Sequence, residues 1–165
     1  MDSLFEDLVQ VLERQREILK EMLTAALNHN HALRQNDIVV LTGVISREEK
    51  ILTGLKLEER QRELLQKALA EKMNMPEESS LSKLLPCLPE KYSAKLSGLV
   101  SEIKNIAVEI TRLAELNGVL TRQAMHFNEQ LLKLLLNPLH NSTYQPDGKS
   151  VFPADSSVPL INKTV

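Results

Sequence analysis

Cysteine is almost missing from this chain of 165 residues, with Cys87 the only one. An intrachain disulfide is therefore excluded, nothing nearby supplies metal ligands at zinc-site spacing, and a reducing cytoplasm is the expected compartment. Tryptophan is absent, aromatics make up 3% of the residues, and there are five glycines. A core must then be built from Leu, Ile, Val, Ala and Met, which suits a long helical bundle. No stretch approaches about 18 uncharged apolar residues. The start, Met1-Asp2-Ser3-Leu4-Phe5-Glu6-Asp7, has no basic region followed by an apolar one. Neither a membrane span nor a cleaved signal is expected, so the sequons at Asn141 and Asn162 are discounted. An excess of one charge is also lacking: the formal net charge is -2, with both signs interspersed. That gives no electrostatic case for nucleic acid or an anionic membrane surface, and partners are expected through shape and apolar contact.

Catalytic patterns are equally scarce. There is no glycine-rich phosphate loop, no Gly-x-Ser-x-Gly elbow and no acidic cluster beside a base. Of the four histidines, His29 and His31 stand two apart at a helix end and point about 200° from each other, so they cannot share an ion as an i,i+4 pair does. His126, off the seam next to Phe127, reads as a solvated side chain, and His140 is the fourth histidine. The chain is read as non-enzymatic, without metal or cofactor.

What the sequence does have is a seam. Leu96, Leu99, Ile103, Ile106, Ile110, Leu113, Asn117, Leu120, Ala124, Phe127, Leu131 and Leu134 follow one another at steps of three and four. Only a helix keeps that spacing on one face, and the heptad period asks for other helices alongside. Taken as helix, Lys91 to Asn137 would extend roughly 70 Å, leaving little room for a concave catalytic pocket. The expected fold is all-α: a long antiparallel helical hairpin within a three-helix, coiled-coil-like bundle, with a short connector helix and a flexible C-terminal tail.

Along the chain, Ser3 with Glu6 reads as a capping box that starts a first helix near Leu4, running to about Leu33. A bend is expected between Asn28 and Asn36, where Asn and His lower helix propensity, although Ala32, Leu33 and Arg34 would tolerate a continuous helix. The second helix is expected over 38–72, with Ile38, Leu41, Val44, Ile45, Ile51, Leu52 and Leu55 inward. Its stripe fails between Glu58 and Glu63, which reads as a solvated segment near the bundle tip carrying a Glu58–Arg62 i,i+4 pair. Prolines and serines make 73–90 a connector, in which Ser80 caps a short helix over 81–85, Cys87 is a buried small apolar residue and Pro89 occupies the first turn of the long helix. The helical bundle is expected to span 1–138 and a mobile tail 139–165, where Pro146, Pro153 and Pro159 interrupt any helix.

Two features of the long helix stand out, the first as close helix packing in preference to partner recognition and the second as a binding signal. Asn117 sits in mid-seam, where an apolar residue would pack better, and Gly118 follows it. Together they suggest register fixing, and close approach of another backbone or a local bend. Leu131, Leu132, Leu134, Leu135, Leu136 and Leu139 cover an arc of roughly 200°, wider than one core stripe requires. Either the connector helix or the tail covers them, or they form a face on which a partner helix docks, with Leu132, Leu135 and Leu136 in contact.

The run Leu113-Ala114-Glu115-Leu116-Asn117-Gly118-Val119-Leu120, the leucine-rich helix end and Tyr144-Gln145-Pro146-Asp147-Gly148 together resemble the FlgN-type flagellar type III export chaperones. Asn36-Asp37 followed by Leu41, and Glu48-Glu49-Lys50-x-Leu52, are similar to that family's second helix. Members commonly carry a second Asn three residues before the Asn-Gly pair, where this chain has Ala114. The resemblance implies a cytoplasmic chaperone without ATP, holding the C-terminal helices of the hook-filament junction proteins FlgK and FlgL before secretion. It further implies that Tyr144, with Gly148, contacts the export gate, and it carries over Asn117, Gly118 and Leu120. Client contacts are then expected at Leu131, Leu132, Leu135, Leu136 and Leu139. The alternative is a structural coiled-coil adaptor, or a homodimer in which the surplus leucines pair with a second copy.

Overall fold

The computed structural model describes residues 2–136, and every one of its long elements is helical. Helix α1 covers Asp2–Gln35, α2 Ile38–Lys72, α3 Leu81–Leu84 and α4 Glu90–Leu136, with one 3-10 turn at Leu85–Cys87 between the last two. No strand occurs among the described residues. The chain packs as two units, Met1–Gln123 and Ala124–Val165. The described part of the second is the end of α4, and the expected tail, 139–165, lies outside the described residues.

Within the first unit α1, α2 and α4 run up, down and up. Arg14 meets Glu58, Gln15 meets Glu59 and His29 meets Glu48, an antiparallel series. Along α4, Tyr92 meets Glu6, Glu102 meets Arg16 and Asn117 meets Ala26 and Asn30, a parallel series. Among the long helices, extensive close backbone approach is found for α1 against α2, whereas α4 reaches its neighbours mainly through side chains. The apolar periodicity accounts for the main core, where Phe5, Leu8, Leu12, Leu69, Leu96 and Leu99 meet at the end where α2 leaves and α4 begins. Leu8, Leu12, Leu69, Leu84 and Leu96 are the largest fully buried side chains, each contributing about 1.5–3 kcal/mol relative to exposure. A smaller cluster of Met22, Ala25 and Ile51 lies nearer the α1–α2 turn.

Several local expectations are corrected. Ser3 is already inside α1, which starts at Asp2, and its hydroxyl donates to the Asp7 carboxylate at 3.4 Å instead of forming a capping box with Glu6. The bend expected over 28–36 is absent up to Gln35, and the reversal falls on two residues. Asn36 takes the left-handed conformation at φ 55° that Asn tolerates, and the Asp37 carboxylate accepts from the Val40 amide at 3.0 Å to cap α2. Asn and His at 29 and 30 are held helical by tertiary partners that propensity does not include, namely Glu48 for His29 and Asn117 for Asn30.

The segment Glu58–Glu63 is not a solvated tip. The Glu58 carboxylate takes the Arg14 guanidinium at 2.9 Å, and Glu59 accepts from the buried Gln15 amide at 2.8 Å. Arg62 pairs with Glu59, three residues back, and not with Glu58. Of the seven residues expected inward on α2, only Ile51 is buried, and Ile38 is 69% exposed.

In the connector, Leu81 and Leu85 do pack on the main core and Leu84 is buried. Ser80 stands at the N-cap of α3 but offers its backbone carbonyl, not its hydroxyl, to Lys83 and Leu84. Cys87 is exposed, because the 3-10 turn rotates it outward while Leu84 and Leu88 take the inward positions. Pro89 precedes α4, and its carbonyl receives the Tyr92 and Ser93 amides.

Candidate helix-docking site

Burial along the seam of α4 changes character along the helix. Leu96, Leu99 and Leu113 are buried, Ile103, Ile106, Ile110 and Leu120 half-buried, and Phe127, Leu131 and Leu134 exposed. The heptad pattern continues in the sequence past the point where side chains stop being covered.

Asn117 is 5% exposed, and each of its side-chain polar atoms is bonded. Its Nδ2 donates to the Ala26 carbonyl at 3.0 Å, and its Oδ1 accepts from Asn30 Nδ2 at 2.8 Å. An amide in that position is satisfied at one register of α4 on α1, whereas a shift of one residue would leave two buried polar groups unpaired. Gly118 next to it does not serve a backbone approach. A Cβ placed there would meet nothing closer than the Arg122 guanidinium at 3.5 Å, an ordinary contact, and α4 runs through it as helix. Leu120 is half-buried on the adjoining turn.

In the second unit, Leu131, Leu132, Leu135 and Leu136 are all exposed, from 44% at Leu131 to 63% at Leu136. Met125, Phe127 and Leu134 are exposed as well, although client contact was not expected of them. The connector is occupied elsewhere, since Leu81 and Leu85 pack on the Phe5–Leu96 core. The exposed apolar side chains of the helix end thus form one broad stripe over about 200° of its circumference, opposite His126, Glu129, Gln130 and Lys133, a stripe of the kind found at interaction surfaces. The remaining expected site residues, Leu139, Tyr144 and Gly148, lie outside the described residues.

The polar groups are arranged for holding helices together. The Arg62 guanidinium, with Gln15 as a second donor, holds the Glu59 carboxyl below the usual carboxylate range against the opposing effect of burial. Glu59 in turn raises Arg62. The chain of bonds continues through Gln66, which accepts from Arg62 and donates to the Ser79 carbonyl, so α1, α2 and the connector are linked. Sequence reasoning missed Asn30, Gln15 and the His29–Glu48 pair, because a polar residue on a helix has no local signal for a partner that many residues of chain separate from it. No group of three or more metal-ligating side chains comes together among the described residues. No described helix is long and apolar enough to cross a membrane.

Neither the curated proteins nor the solved structures searched for similarity gave a match. A family model does match: that described as FlgN protein aligns with residues 1–151, nearly the whole chain. An all-helical hairpin with a third long helix, and an exposed leucine-rich helix end, accord with that match. The chain belongs to the FlgN family, whose members are flagellar export chaperones and not enzymes.

Proposed function

We propose that this protein captures the C-terminal helices of the hook-filament junction proteins FlgK and FlgL in the cytoplasm and keeps them from assembling before type III secretion. The observation that supports this reading is the exposed apolar helix end, with Leu131, Leu132, Leu135 and Leu136 in solvent beside Phe127. A client segment that forms a coiled coil after export presents an apolar helical stripe before export, and a leucine face covers such a stripe without needing nucleotide or metal. Leu139 would extend the same face, and Tyr144 with Gly148 would make a separate contact with the export gate.

Calorimetric titration with peptides spanning the C-terminal helices of FlgK-like and FlgL-like proteins tests the proposal. Submicromolar binding is expected, lost in a Leu132→Asp, Leu135→Asp variant and retained in Tyr144→Ala. Absence of binding to either client, together with a mass that rises with concentration and falls in the leucine variant, would instead identify a self-pairing coiled-coil adaptor.

A further inference from the structure

Helix α4 is secured unevenly to the rest of the first unit. At its start, Tyr92, Leu96 and Leu99 are buried in the core they share with Phe5, Leu8, Leu12, Leu69 and Leu88. Between Ile103 and Gln123 only Leu113 and Asn117 are buried. The apolar cluster beside that stretch, Met22, Ala25 and Ile51, is packed from α4 by the half-buried Ile110. Cavities of about 600 and 690 Å³ open along it, the first reaching Ile103 and the second Ala107, Ile110 and Ala114. Few buried apolar contacts next to open space are the marks of a segment that opens at less than the cost of global unfolding.

Polar links follow the same division. Near the start of α4, Tyr92 meets Glu6, Lys95 meets Glu13 and Glu102 meets Arg16. Past Glu102, the hydrogen bonds from α4 to another helix are, among the described residues, the two at Asn117. Its Nδ2 donates to the Ala26 carbonyl, and its Oδ1 accepts from Asn30. A core shared by several helices therefore holds the start of α4, whereas one leucine and one amide hold the stretch beyond it. Gly118, beside that amide, further weakens the helix wherever packing does not support it.

We infer that residues 103–123 of α4 form an arm that opens while α1, α2 and the start of α4 stay folded, and that Asn117 is its latch. Opening breaks the two hydrogen bonds, bares Leu113 and draws Ile110 away from Met22, Ala25 and Ile51. The core around Leu8, Leu69 and Leu96, on which the connector also packs, is untouched. Released, the arm is held by its own helix propensity alone, and isolated helices of mixed composition are marginal in water, so its backbone amides exchange with solvent. The fold thus has a covered and an uncovered state of one apolar surface, governed by a polar clamp instead of by extended packing. The arm lies in the first unit, and the inference stands whether or not a client binds the leucine-rich end.

Native-state hydrogen exchange of the full chain, followed by NMR at urea concentrations below the unfolding transition, tests this. Amides of residues 110–117 should share one free energy of opening, smaller than the global value and only weakly dependent on urea. Amides of residues 96–99 should track global unfolding and its steep urea dependence. This comparison is made in the parent chain and needs no variant. Asn117→Ala should speed exchange at 110–117 by about tenfold. Asp37→Ala, which removes the cap of α2 and so lowers global stability, should speed exchange at 96–99 and leave 110–117 unchanged. The same steep urea dependence at both sets would mean that α4 leaves only with the whole fold, and protection graded residue by residue from the helix end would mean ordinary fraying. Either result overturns the inference, as would an Asn117→Ala variant with unchanged exchange at 110–117, or equal acceleration of both sets by Asp37→Ala.

Discussion

Asn117 shows at the scale of one residue how a local cost becomes a specification. An amide in an apolar seam weakens packing, but here both of its polar atoms are bonded to α1, one to the Ala26 carbonyl and one to Asn30. Replacing Asn117 by Ala removes both bonds, at about 0.5–1.5 kcal/mol each, and should lower unfolding free energy by about 1–3 kcal/mol in urea denaturation. In a double-mutant cycle Asn30→Ala and Asn117→Ala should be non-additive by at least about 0.5 kcal/mol, since the two share one bond. Glu59 gives the pH-dependent case. Its carboxyl titrates below the ordinary glutamate value of 4.5 because Arg62 and Gln15 bond the charged form. The stabilisation is therefore present above about pH 4.5 and disappears as pH falls through the lower folded-state value. A Glu59→Gln variant should be less stable than the parent at pH 7, and the gap between their denaturation midpoints should close on acidification below pH 4.5. A gap that stayed constant with pH would rule out this ion-pair account.

Helices are where the sequence was most legible. The three- and four-residue spacing from Leu96 to Leu134 marks α4, and the observed helix, Glu90–Leu136, contains all of it. The α1–α2 boundary was legible in kind but misplaced, since Asn28 to His31 look like a helix end and are not. What ends α1 is a left-handed residue followed by a cap, at Asn36 and Asp37. Asp37→Ala should cost about 0.5–2 kcal/mol, the usual range for a lost N-cap, seen as a lower urea midpoint with unchanged helical content. The inward face of α2 was the least legible part. Its residues have the composition of a core stripe, yet Ile38 and Leu52 remain open because no described helix closes over them. Periodicity reveals that a face is apolar, and only packing reveals whether this chain or another covers it.

For the molecule as a whole, stability and binding are assigned to different stretches of one seam. Leu96 is fully buried in the core where three helices and the connector meet, while Leu134, on the same stripe, is 70% exposed. Leu96→Ala should cost about 2–5 kcal/mol. Leu134→Ala should fall within about 0.5 kcal/mol of the parent. Paired denaturation curves check both, and a large loss at Leu134 would mean that its face is covered within the free chain.

The sequence by itself determined that the chain is helical, where its long helices run, that no catalytic or metal-binding constellation is built into its motifs, and that apolar side chains near the end of α4 exceed the needs of one core stripe. These follow from composition and periodicity, which act over a few residues of chain. Tertiary structure alone decided that Asn117 meets Asn30, that Gln15 and Arg14 reach across to Glu59 and Glu58, that Cys87 faces solvent, and that α4 reaches its neighbours mainly through side chains. The physical reason is that a helix's own periodicity sets which side chains share a face, while the partner each face meets depends on how distant helices settle against one another.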